Sequence, residues 1–218
     1  MSDINHHPRF ETLADFAAGR LDEARAVVIA THAALCSRCA GAISDLETIG
    51  GAMLSSAPVV DMSTDALERV LAKAGDAANI VIPEKPVSDM PENRPPLAEY
   101  LTGPLDDVSW KPVAPGVSQS VLEAEGYRKG VLRLLKIQAG TRMPKHSHKG
   151  EELTLILRGA YTDNVGKFQV GDLADLDGDH LHEPEAIGDE PCICLIATSA
   201  PLEFKTMIGK IAQPFVGL

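Results

Sequence analysis

The chain has 218 residues, an ordinary apolar share of 44% and a formal net charge of −11, enough length for two small domains or one large one. The acidic balance argues against direct nucleic-acid binding, which wants a basic face, and suits a basic protein partner. No apolar run approaches the ~20 residues that span a bilayer, and the polar start from Met1 to Phe10 carries no secretory signal, so the expected compartment is the cytoplasm, with no membrane contact.

In that compartment the four cysteines stay reduced. They are therefore metal ligands or core residues before they are disulfides. Residues 1–82 read as a small helical domain. Phe10, Leu13, Ala14 and Ala17 recur at helical spacing, with Gly19 as the stop. Asp22 caps a second helix that runs to about Ala34. A third follows from the cysteines, with Cys39, Ala42, Ile43, Leu46 and Ile49 as its apolar stripe and Gly50-Gly51 weakening its end. A fourth opens at Ser63-Thr64, and Leu67, Val70, Leu71 and Ala74 line one of its faces.

At the junction of the second and third helices stands His32-x3-Cys36-x2-Cys39. His32 and Cys36 are four apart and share a helical face. A Cys-x2-Cys pair can grip one ion from a helix start. Structural Zn²⁺ usually takes four N/S ligands, so a fourth comes from elsewhere, and His7 or His6 is the candidate. Such a bridge would staple a domain too small to hold firmly by core burial alone. The competing use is a dithiol switch, but no thioredoxin-like βαβ pattern surrounds the pair.

From Pro83 to Pro115 the texture changes, because eight of the fifteen prolines fall there. Residues 83–115 read as a proline-rich linker without regular helix or central strand, and Trp110 pins its end to the next domain. From residue 116 to 218 the period shifts toward two. Candidate strands are Gln119–Glu125, Val131–Ile137, Leu153–Leu157, Leu173–Leu176, Ile193–Thr198 and Leu202–Met207, separated by turn signals. Many short strands without helices between them predict an all-β sandwich or barrel. The whole is an α+β two-domain chain.

This second half carries Gly140-x5-His146-x-His148-x3-Glu152-x6-Gly159. His146 and His148 share a strand face, Glu152 opens the next strand, and a later strand returns His182 or His180. Glu151 is the alternative carboxylate. Three imidazoles and one carboxylate suit Zn, Fe, Mn or Ni, usually with open positions. Cys192 and Cys194 share a strand face with Ile196 and read as core packing, with an oxidisable pair as the alternative.

The frame from Gly140 to Gly159, with Gly171 and His182, resembles the two cupin motifs, and so implies a double-stranded β-helix or jelly-roll barrel. Asp177 and Asp179 depart from the Pro and Gly usual in the second motif. The front half resembles the zinc-binding anti-sigma domain, whose signature matches His32, Cys36 and Cys39, with His7 as the upstream ligand. Joined in this order, the two resemble the ChrR-type anti-sigma factors of bacteria. The resemblance implies a non-enzymatic regulator. Its helical domain, held in shape by zinc, wraps an extracytoplasmic-function-type sigma factor. Its cupin domain, with a second divalent metal, serves the response to singlet oxygen or related oxidants. The rival reading is a cupin-type metal-dependent dioxygenase with an appended regulatory domain, since a 3-His-1-Glu site can bind O2 and a chelating substrate.

Overall fold

The structure is a computed structural model, and it describes residues 3–77, 96–122, 130–148, 150–176, 181–198 and 202–204. Helix α1 (Phe10–Ala17) buries Leu13 and leaves Phe10 outside. It stops at Gly19, whose φ of 64° is the left-handed conformation that glycine adopts without strain. Helix α2 (Glu23–Leu35) starts where Asp22 accepts the backbone N–H of Arg25, the predicted cap. Cys36 is the hinge between α2 and α3 (Ser37–Ser55). Helix α3 runs straight through Gly50-Gly51, several residues past the expected weak point. Helix α4 (Ala66–Ala77) forms as predicted, but its apolar face is not covered: Leu67, Val70 and Leu71 are all exposed.

The proline-rich stretch departs from expectation. Pro83 to Pro95 lies outside the described residues. Residues 96–115, read as linker, instead join the fold. They form a short helix α5 (Leu97–Tyr100), a 3-10 turn (Leu105–Asp107) and strand β1 (Lys111–Ala114). Leu97, Leu101 and Leu105 are buried in the core. Each proline sits where a missing N–H is tolerated. Pro96 and Pro104 precede helical turns, Pro112 lies on the edge strand β1, and Pro115 lies in the turn that follows. The Lys136 ammonium lies 5.4 Å over the Trp110 ring, so the tryptophan does pin this segment to the barrel.

The remaining strands are β2 (Val117–Leu122), β3 (Val131–Ile137), β4 (His146–His148), β5 (Glu152–Arg158), β6 (Ala160–Thr162), β7 (Lys167–Gln169), β8 (Leu173–Leu176), β9 (Glu185–Ile187), β10 (Cys192–Thr198) and β11 (Leu202–Phe204). All pairings are antiparallel. One sheet has the order β1-β2-β3-β10-β5-β8, and two smaller ones have the orders β7-β6-β9 and β11-β4. This is the helices-then-barrel architecture that the sequence predicts. Gly159, between β5 and β6, has φ 68°, and a Cβ there would meet the Pro191 carbonyl at 2.7 Å. The turn therefore admits only glycine.

Strands β3, β5 and β10 of the large sheet are buried on both faces. Leu132 and Leu134 of β3, Leu153, Leu155 and Leu157 of β5, and Ile193, Leu195 and Ala197 of β10 pack with Val27, Val28 and Ile29 in a core shared with the helices. The alternate residues Leu135, Ile137, Ile156, Cys192, Cys194 and Ile196 face inward, onto Tyr161 and Phe168 of the opposite layer. Helix α2 thus lies on the outer face of the barrel. The helical region and the barrel, read from sequence as separate units, share one hydrophobic cluster.

Candidate metal centres

The structure brings His7, His32, Cys36 and Cys39 to one point, with one ligand atom of each within 4.8 Å of all the others. His32 comes from the last turn of α2, Cys36 from the hinge, Cys39 from the first turn of α3, and His7 from the extended segment before α1. His32 Nε2 lies 3.3 Å from Cys39 Sγ, and His7 Nδ1 lies 3.5 and 3.4 Å from the sulfurs of Cys36 and Cys39. Burial lowers the His32 pKa to about 4, and burial with the neighbouring Cys36 pushes the Cys39 thiol up to about 12. Without a cation the pocket therefore favours neutral imidazole and thiol. A divalent ion reverses that preference by displacing the thiol protons. Two thiols and two imidazoles around one centre are the donor set of tetrahedral zinc. His6 goes elsewhere: its ring stacks on Phe168 at 4.1 Å, and its Nε2 reaches the Lys167 carbonyl.

The barrel helps to build this cluster. His32 Nδ1 donates to the Gly171 carbonyl at 3.0 Å, which fixes the tautomer and aims Nε2 at the sulfurs. Next to it, fully buried Asp172 accepts the backbone N–H groups of Asn5 and His6 on one oxygen and that of Gln169 on the other. The Leu173 N–H donates to the His6 carbonyl, which continues the seam. Asp175 holds the next turn through the Arg9 N–H and the Thr12 hydroxyl. The segment that delivers His7 is thus tied to β8 and the turn before it. In Asp172→Ala three backbone N–H groups lose their buried acceptor. A loss on the order of 2–4 kcal/mol in unfolding free energy is expected by denaturant titration, together with weaker retention of metal by the His7 cluster.

The second cluster lies inside the barrel. His146 and His182 face each other in an antiparallel bridge in which each N–H donates to the other's carbonyl at 3.1 Å. Side chains in such a pair project on the same side, and the two Nε2 atoms stand 3.1 Å apart. His146 Nδ1 lies 2.7 Å from the Pro144 carbonyl, and His182 Nδ1 lies 3.0 Å from the Asp163 carboxylate. Both Nδ1 atoms must donate to those acceptors, so both Nε2 atoms present lone pairs to the same space. Two converging lone pairs at that separation repel unless a cation or a proton lies between them. The fully buried carboxyl of Glu152 stands beside them. Burial raises its pKa, against a smaller downward pull from the two imidazoles. Two imidazoles and a carboxylate are donor types that a divalent metal takes, although among the described residues only the front cluster brings all its ligand atoms within 4.8 Å of one another. Glu151, by contrast, is on the surface and pairs with Arg9 and Arg25. His148 lies on β4, opposite Leu202. Its side chain lies outside the described residues, as do His180, Asp177 and Asp179.

Sequence reasoning missed the groups that support the ligands. Asp163 reads as a turn residue, and its side chain does accept the N–H groups of Val165 and Gly166, but its other oxygen orients His182. Asp172 follows the motif glycine Gly171 and gives no separate signal. Arg133 and Lys136 are the two basic residues in an otherwise apolar strand, and Arg133 is the buried one, a conflict of pattern that is the available clue. In Asp163→Asn the orienting carboxylate becomes a weaker acceptor. A tenfold to hundredfold loss of metal affinity at the barrel centre, of the order usual for such partners, is expected from competition with a chromophoric chelator.

Among the described residues no single helix is long and apolar enough to cross a membrane. The family described as the ChrR cupin-like domain matches residues 99–201. The anti-sigma-E factor ChrR of Cereibacter sphaeroides is 37% identical over 212 residues, 97% of this chain and 98% of that protein. A chain in the crystal structure of Rhodobacter sphaeroides SigE in complex with the anti-sigma ChrR superposes with a TM-score of 0.76 at 36% identity, covering 90% of this chain and 100% of that one. The protein belongs to the ChrR-type anti-sigma family, as its motifs implied.

Proposed function

We propose that this member of the ChrR-type anti-sigma family binds an extracytoplasmic-function-type sigma factor through its helical layer and keeps it from RNA polymerase in the cytoplasm. Zn²⁺ on His7, His32, Cys36 and Cys39 holds that layer in its binding shape. A second divalent metal on His146, His148, Glu152 and His182 equips the barrel to respond to oxidative stress, with singlet oxygen or related oxidants as the signal.

The observation that carries the reading is the uncovered apolar surface beyond the zinc cluster. Ile49, Met53 and Leu54 of α3, Val59, Val60 and Met62 of the connection, and Leu67, Val70 and Leu71 of α4 are all exposed, Val59 to 95%. So many large apolar side chains left exposed within 23 consecutive residues mark a site for a protein partner. Asp45, Glu47, Asp61, Asp65 and Glu68 are exposed and lie before or between these residues along the chain, so the segment suits a partner with basic groups. The similar ChrR chain is itself held in a complex with SigE.

The test is a pulldown from the source bacterium with the full chain as bait, read by mass spectrometry, with and without a zinc chelator. A sigma factor retained only in the presence of zinc supports the reading. A folded, zinc-loaded bait that retains none overturns it.

A further inference from the structure

Beside His146, Glu152 and His182 the barrel holds a cavity of about 50 Å³, room for roughly three to five water-sized groups. Its lining is mostly apolar, with Leu135, Ile137, Met143 and Ile196 among it, yet Arg133 also faces it. Arg133 is only 5% exposed. Its Nη1 donates to the Gln119 side-chain oxygen at 3.2 Å, a neutral partner. In the strand register Arg133 is opposite Ile196, which is opposite Thr154, two residues from Glu152 on the same inward side. Burial disfavours the guanidinium charge, and the nearby Glu152 carboxylate favours it.

The charges decide what the cavity accepts. Without a metal, Arg133 and Glu152 balance each other. Once a divalent cation sits on the histidines and Glu152, the Glu152 carboxylate and the Asp163 carboxylate behind His182 offset the cation, and the Arg133 charge is left over in an apolar wall. A buried excess charge is costly unless a counter-ion enters, and a guanidinium fork matches a carboxylate in geometry as well as in charge.

We propose that the metal-loaded barrel binds a small organic carboxylate, whose charge Arg133 and the metal share and whose short tail lies against Leu135, Ile137 and Met143. The inference rests on the second metal centre proposed above, and not on the sigma-factor partner.

The test uses the zinc-loaded full chain and titrates propionate by calorimetry, with propionamide as the neutral twin. Saturable binding of propionate, at least ~10-fold tighter than propionamide, is expected. Arg133→Gln is expected to weaken propionate at least ~10-fold, and Arg133→Lys, which keeps the charge and loses the fork, several-fold. The lysine variant keeps the question open to measurement if the glutamine variant does not fold. An Arg133 present only to balance Glu152 would change the melting temperature and leave the propionate constant alone, and that result overturns the proposal. So does equal binding of acid and amide. Metal content separates the two failures. Two ions per chain without a propionate response reject the carboxylate site. One ion per chain rejects the second metal centre beneath it.

Discussion

In the Cys39→Ser chain, zinc content falls by one ion per chain and affinity for the sigma factor drops at least ~100-fold, a loss of about 3 kcal/mol. The expectation follows from where the sulfur sits. It lies within 3.4 Å of both His32 Nε2 and His7 Nδ1, so it is the atom on which the cluster converges. A serine hydroxyl is a hard, short donor that replaces a thiolate poorly at zinc. Structural zinc in small modules is worth on the order of 10 kcal/mol, so loss of one ligand in four removes several. What then comes apart is the corner where α3 leaves the barrel. Beyond Cys39 the buried anchor of α3 is Ile43, with Ala42 and Leu46 packed partly against the core. The rest of α3 and all of α4 stand away from the barrel, so their placement depends on that corner. Metal analysis and equilibrium binding check both halves of the prediction. Cys194→Ser is the control, a buried cysteine that plays no part in the front cluster.

The second large effect is expected on the uncovered face of α4. In Leu67→Glu/Leu71→Glu, binding falls beyond detection while the melting temperature of the free chain stays within a degree or two. Leu67 and Leu71 are 70% and 60% exposed, so the substitutions delete no packing in the chain alone. Buried apolar anchors at an interface cost ~2–4 kcal/mol each when lost, and a carboxylate forced into such a contact adds its desolvation. Unchanged binding by this variant would move the partner surface away from α4. The matched control is Phe10→Glu, equally exposed but on α1.

What could be read from the sequence followed from local rules. The metal frames were visible because a helix turn and a strand fix ligand spacing over three to six residues. The start of α2 at Asp22 and the bounds of β3 and β8 came from capping and from alternation within one element. What could not be read depended on groups far apart in sequence. Asp172 meets Asn5 across 167 positions and His32 meets Gly171 across 139, and no spacing rule connects them. The merging of the two halves was hidden for the same reason. It had left a trace, however. Leu153–Leu157 is nearly all apolar where a strand with one wet face would alternate, because α2 covers the outer side. The prolines misled in the opposite direction. Their density reads as linker, but β1 is an edge strand, where Pro112 costs no ladder hydrogen bond that matters. The interior pair Cys192 and Cys194, 3.8 Å apart, sits where core packing predicts, facing Ile156 and Tyr161.

The two clusters are joined through the strands of the barrel. Glu152 opens β5, β5 pairs with β8, and β8 follows Gly171 and Asp172, which hold His32 and the His7 segment. A shift of β5 at the barrel centre therefore has a short path of hydrogen bonds to the front cluster.

The measurement that bears most directly on the central claim is a titration of the labelled sigma factor with the full chain in three states: zinc-loaded, stripped by a chelator, and stripped then reloaded. Tight binding in the first, loss of at least ~100-fold in the second and recovery in the third is the predicted result. Equal affinity for the stripped chain, with metal analysis showing an empty front cluster, would contradict the claim that zinc holds the binding surface in place.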